Sequence, residues 1–169
     1  MERSIRTAIE VVVTLGIVSA PAAGMARSVL PEPITRAFML LGWGGENLPS
    51  IEIVTSRPPE ANPTAAAWVR FNDDGCAWGV IYVTTLSHIY RDAAKGNYQA
   101  LVQLAGVLAH ERWHVRHGRD EVGAYTAQLS VMEHLNADSL HLLEIRRALR
   151  AVEQQNKNRL RIEKQCPSP

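Results

Sequence analysis

Apolar and polar positions follow two different periods along this chain, and the change falls near Leu86. Upstream, the pattern is short and alternating. "PSIEIVTSRP" (49–58) places Ile51 and Ile53 on one face and predicts a strand. Three prolines and Asn62 make "RPPEANPTA" a loop. Two β-rich runs, Trp68–Phe71 and Ala77–Thr84, then flank "NDDG", a hairpin signal. Before them, "ITRAFMLL" (34–41) predicts a short helix stopped by "GWGGEN". The first half is therefore expected to form a small, mostly antiparallel sheet.

Downstream, the apolar residues recur at three- and four-residue spacing. "LSHIYRDAAK" predicts a short helix ending near Gly96. Asn97 is placed to cap a second helix, "YQALVQLAGVLAHERWHVRH", with Leu101, Leu104, Val107, Leu108 and Val115 on its core side. Gly118 is placed to end that helix and Asp120 to cap the next. A last helical stripe follows Asn136–Asp138 and carries Leu142, Ile145, Leu149 and Val152; "QQNKNRLRIEKQCPSP" reads as a polar tail. The stripe is expected to pack on the domain rather than on a partner chain.

Composition changes the picture at the front of the chain. Arg3 and Arg6 precede an apolar run from Val11 to Ala23, followed by small residues. That is the layout of a secretory signal peptide spanning 1–26, with Gly24 and Ala26 at the selective positions before the cut. Cleavage after Ala20 would leave Pro21 first. The run is short for a membrane span, so an uncleaved anchor or a buried helix are the lesser readings. Export to a periplasmic or extracellular space is expected, with 27–169 as one domain. An oxidising compartment would let Cys76 and Cys166 pair, tying the tail to the middle of the domain; the spacing leaves that open. Neither has a CxxC partner, which argues against a thiolate zinc site. A net charge of +1 gives no reason to expect nucleic acid or a membrane surface as a partner.

The candidate chemistry lies in "HERWHVRHGRDE" (110–121). His110 and His114 are four apart, so on a helix their rings leave one face and can share one tetrahedral zinc. Glu111 lies on the adjacent face, where a carboxylate can take a proton from a water whose pKa the metal lowers. A third ligand is still needed. His117 sits roughly 10 Å along the axis from His110, too far for one ion on a straight helix. A turn at Gly118 would bring the start of the next helix back, which favours Glu121 over His117 and over Asp120, occupied as a cap. On that next helix Tyr125 and Gln128 share a face with Glu121, so Gln128 lines the cleft or is solvated. Trp113 is expected to pack in the core, while His88, His134 and His141 are scattered surface or capping residues. Tyr82 is a candidate neighbour of the cleft.

"HERWH" followed by "EVGAY" resembles the zincin metallopeptidases, and more narrowly the gluzincin type. The resemblance covers residues 110–125, with the strands-then-helix order of 49–118. It implies an α+β, minimal zincin-like fold: a small sheet, an active-site helix and two further helices. It also implies a zinc metalloendopeptidase acting on peptides or proteins, with one zinc per chain. His110, His114 and Glu121 would be the ligands and Glu111 the general base. Tyr125 stands where the gluzincin motif commonly carries Asp, and would either orient a zinc-bound His or donate to the tetrahedral intermediate. By the same analogy, Ala77–Thr84 would be the edge strand that pairs with extended substrate. The competing readings are a non-catalytic zinc-binding protein of the cell envelope, which needs no Glu111, and an interaction module in which 110–121 is only a polar helix end.

Overall fold

A computed structural model describes residues 30–44, 48–59 and 62–163, with side chains through Asn158. The signal-peptide reading of 1–26 and the Cys76–Cys166 pairing involve residues outside that set. Within it the protein is α+β. The order is α1 (Glu32–Leu40), β1 (Ser50–Val54), β2 (Ala67–Phe71), β3 (Ala77–Thr84), α2 (His88–Ala94), α3 (Tyr98–His117), α4 (Glu121–His134) and α5 (Ser139–Glu163).

The three strands form one sheet in the order β1-β3-β2. The "NDDG" segment closes the β2–β3 hairpin as the sequence indicates. Gly75 N–H donates to the Asn72 carbonyl at 3.0 Å, and the Asn72 side chain accepts from Cys76 N–H at 2.8 Å. The other pairing is parallel, with Ile51 opposite Ile81 and Ile53 opposite Val83. The sheet is therefore mixed. The proline-bearing segment between β1 and β2 carries the chain past the central position, which β3 then fills by returning through the hairpin. Ala77–Thr84 is consequently paired on both sides, and the expectation that it offers a free edge is corrected: β2 is the edge strand on that side.

One face of the sheet packs on α3. Ile81 and Val83 of β3, Ala67 and Val69 of β2, and Leu101, Leu104, Ala105 and Leu108 of α3 share a core that Ile34, Ala37 and Phe38 of α1 complete. Leu101, Leu104 and Leu108 are buried as expected, whereas Val107 and Val115 are only partly so. The opposite side of α3 is also covered, because Val102 meets Met132 of α4. Gly106 allows that approach: a Cβ there would lie 2.7 Å from Met132 Cγ. A helix buried on two sides lacks a single apolar stripe.

Both ends of α3 are fixed locally. The Asn97 side chain accepts from Ala100 N–H at 3.1 Å. At the far end Gly118 adopts φ 67° and ψ −140°, and a Cβ on it would fall 2.8 Å from the Gly75 carbonyl oxygen. Positive φ and close backbone contact together require glycine there. Asp120 then caps α4 by accepting from Gly123 N–H at 3.1 Å, and its other carboxylate oxygen accepts from Trp113 Nε1–H at 3.0 Å. Trp113 is thus a half-buried clasp on the α3–α4 turn rather than a core residue. The helix α5 continues through Glu163, beyond the point where a polar tail was expected. No glycine or proline interrupts that stretch, so nothing local stops the helix.

Candidate metal centre

Three side chains meet where α3 turns into α4. His110 and His114 project from one face of α3, and Glu121 opens α4. One ligand atom from each lies within 4.8 Å of the others. The two Nε2 atoms are 3.1 Å apart, and the Glu121 carboxylate oxygens approach His110 Nε2 at 3.7 Å and His114 Nε2 at 3.5 Å. Four ligands at 2.0–2.1 Å around a tetrahedral ion are separated by about 3.3–3.4 Å. The two imidazole nitrogens are already near that spacing, and the carboxylate, which offers a different oxygen to each ring, needs only a small side-chain adjustment to bring one oxygen to a shared ion.

The rings are held in the tautomer that ligation requires. His114 Nδ1–H donates to the Gly118 carbonyl at 2.7 Å, an oxygen that can only accept. His110 Nδ1–H donates to Gln128 Oε1 at 3.1 Å. With both Nδ1 atoms protonated and occupied, both Nε2 lone pairs are left for the shared point. Gln128 is buried, and its amide nitrogen points toward Met132 Sδ at 4.0 Å. Phe71 of β2 meets the His114 ring edge-on, with centroids 5.6 Å apart, and Tyr125 does the same to His110 at 4.7 Å. These contacts limit ring rotation.

Protonation follows from the surroundings. Burial, reinforced by the charge of His114, pulls His110 down to about 4, against the opposing pull of Glu121 and Gln128. Burial also pulls His114 down, but its bonds to Glu121 and Gly118 and the nearby carboxylates outweigh that, so it lies above its ordinary value. Its hydrogen bond to Glu121 holds that carboxyl below the usual range. The shifts of His114 and Glu121 thus reinforce one another, while His110 is neutral near pH 7. Glu111 is different. Burial pushes it up to about 7, with Glu121 adding to the rise while His114 and the Val69 backbone amide oppose it. Burial, then the charges of Glu121 and Glu111, also raise Tyr125, which keeps its hydroxyl proton at neutral pH.

These residues line one side of an open cleft of about 530 Å³. The other wall is β2, from Ala67 to Phe71, together with Trp78, Pro58 and Asn62. Among the described residues the cleft-side edge of β2 has no strand partner.

Other residues singled out in the sequence lie elsewhere. The exposed His117 stacks against Trp113 at 4.1 Å, and Asp120 is occupied as the cap. His88, His134 and His141 are outside the cluster. Tyr82 is corrected: it stands on the outer face of the sheet, stacked on Trp68 at 6.0 Å, and does not line the cleft. Arg119 and Phe71 do line it, and neither is signalled by a motif. Gln128 does share the helical face of Glu121, but it neither lines the cleft nor faces solvent: it is buried behind His110. No family model, curated protein or solved structure matches this chain.

Proposed function

We propose that this protein is a zinc-dependent metallopeptidase of zincin type that hydrolyses peptide bonds at the His110–His114–Glu121 centre. The observation that carries the reading is the combination of three ligand atoms within 4.8 Å of one another with a buried carboxyl, Glu111, on the same cleft wall. Burying that carboxyl is costly, and a site that only stored metal would have no use for it. A zinc ion bound there would lower the pKa of a water and polarise a substrate carbonyl. The chain's own groups do the rest. Glu111, balanced near neutral pH, accepts the water's proton and returns it to the leaving amine. Tyr125, protonated and on the cleft wall, donates a hydrogen bond to the oxygen on which charge develops. Gln128 and the Gly118 carbonyl keep the two imidazoles aimed. The cleft-side edge of β2, without a strand partner among the described residues, offers backbone groups to an extended peptide beside the metal.

Export fits this reading, with residues 1–26 as the targeting segment. No helix among the described residues is long and apolar enough to cross a membrane. The test is turnover of a mixed peptide library by the zinc-loaded chain. The wild type should cleave, and Glu111→Gln should retain zinc while losing at least about a hundredfold in rate. Unchanged cleavage by that variant would remove Glu111 from the mechanism.

A further inference from the structure

The charged residues lining the cleft are Glu111, Glu121, Arg70 and Arg119. In the proposed reaction both carboxylates are committed, Glu121 to the metal and Glu111 to the water. The guanidiniums are not. Arg70 lies over the Tyr82 ring at 5.1 Å, toward the outer face of the sheet. Arg119, between α3 and α4, lines the cleft beside Phe71. Its guanidinium carbon sits 5.1 Å from the Phe71 ring centroid, and Phe71 in turn lies 5.6 Å from the His114 ring. Added end to end, these separations bound the guanidinium at no more than about 10.7 Å from the His114 ring. Its Nε would lie 4.0 Å from a Cβ at Gly75, so the hairpin turn backs it. Arg119 enters none of the ion pairs among the described residues. Stacking on an aromatic ring uses the guanidinium's face and leaves its N–H edges free for a planar anion. An extended peptide advances about 3.3–3.6 Å per residue, so the bound corresponds to about three residues.

We propose that Arg119 is a specificity-determining residue that receives a substrate carboxylate, from an Asp or Glu side chain or a free C-terminus, within about three residues of the scissile bond. The bidentate match of guanidinium to carboxylate supplies the preference. The inference rests on the peptidase reading for the direction of the bound chain, and binding tests it without turnover. Labelled peptides would be titrated by fluorescence anisotropy onto the zinc-loaded full chain carrying Glu111→Gln. Three peptides differ in one group: Gln with a C-terminal amide, Glu with the amide, and Gln with a free carboxyl, the variable residue being moved through three positions. At least one charged peptide should bind about tenfold tighter than the neutral one, and which of the two does so identifies the source of the carboxylate. Adding Arg119→Gln should reduce that preference to within about twofold, Arg119→Lys should restore part of it, and Arg116→Gln, which removes the same charge from the helix beside the cleft, should leave it intact. Equal binding of all three peptides would overturn the proposal, as would a preference that survives Arg119→Gln. A charge preference in a chain whose wild type cleaves nothing would leave the carboxylate site standing and remove the peptidase reading.

Discussion

Replacing the proposed base should make the metal-free protein more stable. Glu111 is 8% exposed and its carboxyl is raised from 4.5 to about 7 in the folded state. Below pH 4.5 it is protonated whether the chain is folded or not, and costs nothing. Between 4.5 and 7 the unfolded chain ionises first, so folding becomes progressively less favourable; above 7 the full penalty is present. A gap of roughly 2.5 pH units at 1.36 kcal/mol each gives about 3 kcal/mol. Glu111→Gln keeps the shape and an acceptor for the Val69 amide but removes the charge. Urea unfolding in excess chelator should therefore find the variant about 2–3 kcal/mol more stable than wild type at pH 8 and less than about 1 kcal/mol more stable at pH 5. At pH 8 the midpoint of thermal unfolding should rise by roughly 10 °C. Loading with zinc should narrow the gap, because a dication beside Glu111 favours its charged form. A variant no more stable than wild type at pH 8, or a difference independent of pH, would refute the argument that this carboxyl is held at a cost.

Other consequences are local. Gly118→Ala combines positive φ with a contact on the Gly75 carbonyl, so it should cost about 1–3 kcal/mol by urea unfolding and weaken zinc binding by shifting Glu121. Gln128→Leu removes the acceptor for His110 Nδ1–H and should lower zinc affinity by about 10–100-fold in a chelator competition, with Gln128→Glu retaining more of it. Zinc must displace the proton of His114, whose pKa is raised, so affinity should fall as pH drops through that value. Measured in the Glu111→Gln background, which lacks the other linked proton, the slope should be about one decade per pH unit and steepen near 4 as His110 also protonates. A flat profile would show that these histidines do not hold the ion.

The parts of the structure legible in the sequence are those fixed by neighbours in the chain. Asn97, Gly118 and Asp120 cap helices through bonds spanning a few residues, and the "NDDG" hairpin closes on itself. The turn at Gly118 is why Glu121 could be placed beside His110 and His114 from spacing alone. What escaped was set by distant segments. The parallel β1–β3 pairing depends on where the long loop delivers β2, and with it went the identity of the edge strand and the side on which Tyr82 stands. Gln128 is buried by α3 on a face of α4 whose other members include Glu121 and Tyr125, a stripe too polar to read as packed. Arg119 belongs to no motif and acquires its setting only when Phe71 arrives from β2.

The most direct test of the account is zinc content by elemental analysis of the full chain purified without chelator, beside His114→Ala and Glu121→Ala. The convergence of His110, His114 and Glu121 predicts about one zinc per chain in the wild type, well below one in both variants after dialysis, and retention of helical content. A wild-type chain that carries no zinc and takes up none when it is offered would contradict the central claim.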